Sequence, residues 1–205
     1  MQQFDSIDDY IQDLKAKLQA NPQCGNSHYN LGVAYLSRRD FMEAETEFLE
    51  AVANSPKMAE AYVQLGGIAM QRGDLEGCLN YNIQATLQRP FFSVPWGNIG
   101  FVQMQLGKLE DARKALKKAL KYDPGFVQAK ATMTSLLISN GEYEEADQLL
   151  KEILDAHPNF GPAWNNKAII DAHRGLWEDA KVCIARAEES GFDVVPEFKQ
   201  EIMAK

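Results

Sequence analysis

Residues 93–126 read SVPWGNIGFVQMQLGKLEDARKALKKALKYDPGF, and this stretch carries the plan of the chain. Trp96, Ile99, Gly100 and Gln103 fall at i, i+3, i+4 and i+7, one face of a helix with 3.6 residues per turn. Gly107 then interrupts, as a helix-terminal residue with a left-handed backbone does. Ala112, Leu116 and Ala119 form the inner face of a second helix, and Pro124 ends it. The small residues Gly100 and Ala112 let the two helices approach closely. The stretch therefore predicts a pair of antiparallel helices.

Working outward, Pro22, Pro56, Pro90, Pro124 and Pro158 are each 34 residues from the next. Gly32, Gly66 and Gly100 keep the same spacing, as do Gly73, Gly107, Gly141 and Gly175. A period held this strictly marks a stack of equal units, whose working parts are continuous surfaces rather than one pocket. Counting back from the prolines gives units 25–58, 59–92, 93–126, 127–160 and 161–194. The first carries Leu31, Gly32, Tyr35, Ala44, Phe48 and Ala51. The fourth is looser, with Met133, Thr134, Leu137, Ala146 and Leu150. The fifth keeps Trp164, Ala168, Ala180, Ile184 and Ala187 but has Phe192 where proline is expected.

This pattern resembles the tetratricopeptide repeat, whose signature is W-x₂-L-G-x₂-Y, then A-x₃-F, then P. The resemblance implies an all-α fold, a right-handed superhelical α-solenoid of antiparallel helix pairs with first helices on the concave wall. A stripe of Ile7, Tyr10, Ile11, Leu14 and Leu18 in residues 1–24 reads as an N-terminal capping helix. Val194, Phe198 and Ile202 mark a last capping helix over residues 195–205. The expectation is one domain over residues 1–205 with about twelve helices. Met58, Phe92, Phe126 and Phe160 recur at the joins and are expected to pack under the next helix, where Phe→Ala costs about 3–5 kcal/mol.

Hydrophobic residues make up 45% and charged residues 24%, as in a folded globular chain. A net charge of −8 opposes general binding to nucleic acid or to an anionic membrane. Met1, Gln2, Gln3, Phe4 and Asp5 lack the basic start and apolar run of a signal peptide. No apolar stretch approaches the roughly 20 residues that cross a bilayer. Cys24, Cys78 and Cys183 are odd in number and form no CxxC, which suggests reduced thiols and a cytoplasmic location.

In each first helix, six slots (two, five, six, nine, twelve and thirteen) lie opposite the packed face. Slot six holds Asn30, Gln64, Asn98, Thr132 and Asn166. A primary amide both donates and accepts, so the row suits capture of an extended peptide backbone. A comparable asparagine row lines the groove of some tetratricopeptide proteins. Met70, Phe101 and Met104 add adaptable apolar contacts, and Tyr29 and His173 stand near the two ends. Val33 and Ile169 read instead as packed against neighbouring first helices.

Some family members clamp a chaperone's terminal carboxylates with cations at slots five and nine. Here slot five holds Tyr29, Val63, Gly97, Ala131 and Asn165, and slot nine holds Val33, Gly67, Phe101, Ser135 and Ile169. The cations are missing, so a carboxylate clamp is not expected. On the convex side, Arg113, Lys114, Lys117, Lys118 and Lys121 lie within about a 140° arc at 100° per residue. They are expected to pair with the acidic helix that follows, to dock an acidic partner, or to serve self-association.

Asn82 and Gln103 stand where aromatic residues are usual, and a hydrogen bond between them is the expected explanation. Lys167 and Asp171, at i and i+4, read as a local ion pair. His28, His157 and His173 are scattered, and no catalytic, metal or cofactor motif is present. The sequence therefore describes a non-enzymatic adaptor without cofactor, binding a protein or peptide segment. Its alternative is a scaffold that self-associates through its ends and charged exterior.

Overall fold

A computed structural model describes residues 6–205; residues 1–5, read above as lacking a leader, lie outside the described residues. The described chain is an all-α solenoid of twelve helices. After α1 (Ile7–Ala20), five first helices begin at Gly25, Ala59, Ser93, Val127 and Gly161, and five second helices at Phe41, Leu75, Leu109, Tyr143 and Trp177. Each series keeps the 34-residue period without an exception. The first helices are α2 (Gly25–Ser37), α4 (Ala59–Gln71), α6 (Ser93–Gln105), α8 (Val127–Ser139) and α10 (Gly161–His173). The second helices are α3 (Phe41–Asn54), α5 (Leu75–Gln88), α7 (Leu109–Tyr122), α9 (Tyr143–Ala156) and α11 (Trp177–Glu189); α12 (Pro196–Met203) closes the chain.

One turn joins the two helices of every repeat. Asp40 N–H donates to the Tyr35 carbonyl at 3.0 Å, and Asp74, Lys108, Glu142 and Leu176 donate to Ala69, Gln103, Leu137 and Asp171 in the same way. This six-to-one bond needs a left-handed residue before it. Gly73, Gly107, Gly141 and Gly175 supply it with φ between 71° and 76°, whereas the first repeat uses Arg39 at φ 65°.

The chain divides into two compact units, Met1–Val102 and Gln103–Lys205. In unit 1 the buried core joins Ile11 and Leu14 of α1 to Leu31, Tyr35, Phe48, Leu65 and Ile68. Helices α2 and α3 close to contact because Gly32 has no side chain: a Cβ there would meet the Phe48 ring at 2.8 Å. In unit 2 the buried cluster of Ala168, Ala180, Ile184 and Ala187 is covered by Val194 and Ile202, so α12 seals the end of the array.

The residues at the joins are less buried than a core position, although Met58 packs against the unit 1 core as expected. Met58, Phe92, Phe126 and Phe160 are half-buried. Met58, Phe126 and Phe160 are the residues that precede α4, α8 and α10, where the chain is entering a new helix from solvent. Their truncation should therefore cost less than that of a fully buried phenylalanine.

Candidate functional site

The slot-six row divides into amides that are held and amides that are not. Asn30 is exposed and Gln64 half-buried, and neither side chain is hydrogen-bonded among the described residues. Asn98 donates through Nδ2 to Oδ1 of Asn82 at 2.9 Å. Asn82 is 0% exposed and donates through its own Nδ2 to the Cys78 carbonyl at 2.8 Å. Its partner is thus Asn98, where the sequence suggested Gln103. Thr132 donates to the Gln128 carbonyl at 2.9 Å.

Asn166 departs furthest from expectation. It is 6% exposed, and its Nδ2 donates to Ser135 Oγ at 3.0 Å with the Ala131 carbonyl at 3.4 Å. The amide joins α10 to α8 instead of facing a ligand. A buried amide without partners would lose its water without replacement, so Ser135 and Ala131 explain why it sits there.

The slot-nine residues of unit 1 form a second feature beside Asn30 and Gln64. Val33 is 40% exposed, against the packed role expected of it, and Phe101 is 37% exposed. Between them in the series, Gly67 is exposed and a Cβ added there would meet nothing within 4 Å. Met70 is half-buried against Ala69, Cys78 and Val102. Tyr29 is half-buried with its ring 5.7 Å from that of Phe48, so it serves the core as well as the surface. Met104 and Ile169 are half-buried residues of unit 2. His173 stacks on Tyr143 with ring centroids 4.0 Å apart.

Of the basic residues on α7, Arg113 is half-buried and forks onto both carboxylate oxygens of Glu142. That bond is the first cause of the low Glu142 pKa. Lys114 lies 3.4 Å from Asp111, and Lys117, Lys118 and Lys121 are exposed. In α10, Lys167 bridges Asp171 at 2.5 Å and Asp147 at 3.4 Å, and Asp171 is only 2% exposed. The local ion pair expected there is present.

A recurring bond went unread in the sequence. Trp96 Nε1 donates to the Pro90 carbonyl at 2.9 Å, and Trp164 Nε1 to the Pro158 carbonyl at 2.7 Å. His28 makes the equivalent contact, Nε2 to the Pro22 carbonyl at 2.9 Å, while Nδ1 lies 2.7 Å from Glu47. The available signal was a ring N–H six residues after each of these prolines. Only a doubly protonated ring donates to both His28 acceptors. Burial works against that charge, but the bonds to Glu47 and the Pro22 carbonyl outweigh it and the His28 pKa is raised.

The cysteines follow their surroundings. Burial pushes the Cys78 thiol up to about 11 and Cys183 up to about 12. Cys24 is lowered, first by the hydrogen bond from Ser27 Oγ at 3.2 Å. Three surface cavities in unit 2, of about 590, 600 and 340 Å³, all border Trp164. The Arg186 guanidinium lies over that indole, 4.5 Å from its centroid. Among the described residues no group of three or more His, Cys, Asp or Glu could hold a metal ion, and no helix is long and apolar enough to cross a membrane.

Two tetratricopeptide-repeat family models match the sequence, one at residues 12–59 and 29–77, the other at residues 103–168 and 137–200. No curated protein matches the chain. Similar solved structures include YrrB, described as a TPR protein with an unusual peptide-binding site. It is 14% identical with a TM-score of 0.69, over 94% of this chain and 98% of that one. PilF of Pseudomonas aeruginosa is 19% identical with a TM-score of 0.76, over 93% of this chain and 86% of that one. PilW, described as a widely conserved type IV pilus biogenesis factor, is 20% identical with a TM-score of 0.73, over 88% and 90%. At these identities the likeness is one of fold.

Proposed function

This chain belongs to the tetratricopeptide-repeat family, and from that premise we propose that it is an adaptor holding an extended segment of a partner protein on the first-helix face of unit 1. Repeats of this family mediate contacts between proteins, and the fold is non-catalytic. The observation that carries the reading is the open place at Gly67, with Val33 and Phe101 exposed in the same row and the unbonded amides of Asn30 and Gln64 beside it. The amides would take the partner's backbone, and Val33, Phe101 and Met70 its uncharged side chains. Asn98 contributes through its remaining acceptor, and Asn166 is left out because it is already bonded. Cytoplasm is the compartment this reading assigns, since the three cysteines are free thiols.

Peptide-library selection on the purified chain, followed by affinity measurement on each variant, tests the site. Asn30→Ala/Gln64→Ala should weaken a selected peptide about 30-fold, at about 1 kcal/mol per lost bond. Gly67→Arg should abolish binding without loss of helix content. A peptide bound equally by wild type and both variants would remove the proposal.

Self-association through the ends is a second reading, favoured by exposed Ile7 near the start and exposed Val195 and Met203 near the finish. It predicts a mass in solution that grows with concentration. A constant monomer in analytical ultracentrifugation would remove it.

A further inference from the structure

We propose that the solvent face of α5 in unit 1 is the interface through which two copies of this chain pair, antiparallel across a two-fold axis. The same five places of every second helix are exposed, yet they are filled differently. In α7 they hold Glu110, Lys114, Lys117, Lys118 and Lys121, all charged, and in α9 only Gln148 among them is not. In α5 they hold Glu76, Asn80, Ile83, Gln84 and Leu87, and in α3 Met42, Thr46, Leu49, Glu50 and Ala53. No charge occurs from Gly77 to Gln88.

Apolar side chains take the place of those charges. Leu87 is 64% exposed and Phe91, just past the helix, 76%, and Met42, Leu49 and Ile83 are exposed as well. Helices α3 and α5 close over one core, where Tyr81 of α5 packs against the cluster holding Phe48 and Ala51 of α3. A contiguous apolar patch of this kind marks an interaction surface, and the centre of such a surface is depleted in charge.

Charge and symmetry choose the occupant. Across a two-fold axis a face meets its own copy, so a charge near the axis meets its like. Asn80, Ile83, Gln84 and Leu87 are spaced symmetrically about the point between Ile83 and Gln84. An antiparallel copy crossing there sets Ile83 against Gln84 and Asn80 against Leu87, with no charge at the centre. Glu76 then falls near the end of the second copy's helix, where Arg89 is still 53% exposed beside Glu60. Antiparallel helices also bring opposite dipole ends together. A copy of α7 crossing in the same register would instead press Lys117 against Lys118. This face is separate from the first-helix site and from the chain ends, so its failure would leave both of those readings standing.

Sedimentation equilibrium of the full chain from about 1 μM to about 1 mM should show growth from monomer to dimer and no further, because a two-fold contact closes. Ile83→Lys/Leu87→Lys, checked for unchanged helix content by circular dichroism, should weaken dimerisation at least about tenfold by opposing like charges at the axis. Val195→Lys/Met203→Lys, at the end of the chain, should leave the dimer unchanged. Gln84→Cys in a Cys24→Ser background should give a disulfide-linked dimer under diamide, whereas Gln148→Cys, at the matching place of α9, should not; this pair guards against misfolding of the lysine variant. A monomer at every concentration, growth past the dimer, or a dimer indifferent to Ile83→Lys/Leu87→Lys but lost in the end variant overturns the proposal. Cross-linking absent from Gln84→Cys, or as strong from Gln148→Cys, overturns it too.

Discussion

Phe48 and Asn82 occupy the same place in successive repeats, each fully buried and each set against a glycine, Gly32 and Gly66. The first contact is apolar and complete in itself, since the Phe48 ring fills the space that a Cβ on Gly32 would need. The second is an amide that must be satisfied, and it reaches Cys78 on its own helix and Asn98 on the next. The phenylalanine joins the two helices of one repeat by filling volume. The asparagine also ties its repeat to the following one, by a bond that accepts one geometry. The same slot can therefore supply bulk or register, and a repeat array uses both.

The largest effect expected from this contrast is at Phe48. Phe48→Ala should cost unit 1 about 3–5 kcal/mol in chemical denaturation, because the cavity faces a glycine that cannot fill it. Asn98→Ala should come next, at about 1–3 kcal/mol, since it leaves the buried Asn82 oxygen unsatisfied. Leucine stands at the Asn82 slot in α7 and α9, as Leu116 and Leu150. Asn82→Leu/Asn98→Ala should therefore be more stable than Asn98→Ala alone. If the double variant is the less stable of the two, the amide bond is not what couples these repeats.

A smaller effect separates the first turn from the other four. Arg39 holds the left-handed backbone that glycine holds elsewhere. Arg39→Gly should stabilise unit 1 by about 1 kcal/mol, the relief of left-handed strain less the added freedom of the unfolded chain. A thermal midpoint that falls instead would mean that the Arg39 side chain does more than occupy a turn.

The smallest effect distinguishes His28 from its counterparts Trp96 and Trp164. All three donate to a proline carbonyl, but only the histidine titrates near neutrality. Because its folded pKa is raised, its contribution is complete below the unfolded value of about 6.5 and is lost as pH rises through the folded value. Unit 1 should melt at a lower temperature at alkaline than at mildly acidic pH, because the bond to Glu47 and the charges of Glu47 and Glu50 favour the protonated ring. His28→Gln should remove that component from the pH profile. An identical profile in the variant would assign the dependence elsewhere.

Much of the fold was legible because its causes are local. The spacing of Pro22 to Pro158 and of Gly73 to Gly175 reflects where a helix must end, which a few consecutive residues decide. Lys167 and Asp171 were readable as a pair for the same reason, four residues apart on one helix. Arg39 was not, because a non-glycine in the glycine slot shows its meaning only when its φ is known. The candidate site was legible as a row and illegible in detail. Asn30 and Asn166 look equivalent by slot, yet one is exposed and the other buried between Ser135 and Ala131. Val33 likewise looked like packing and is exposed.

By itself, then, the sequence determined that this is a stack of helix pairs, where each repeat begins and ends, and that slot six carries amides. Helix termini and apolar stripes are set within a turn or two of the chain, so periodicity is enough to read them. Only the tertiary structure decided which amides remain free. Asn98 meets Asn82 across 16 residues and Asn166 meets Ser135 across 31, so each partnership depends on how side chains of different helices come together at one packing distance. Side-chain contact between helices is a matter of a few ångströms, and no repeat pattern written along one chain specifies it.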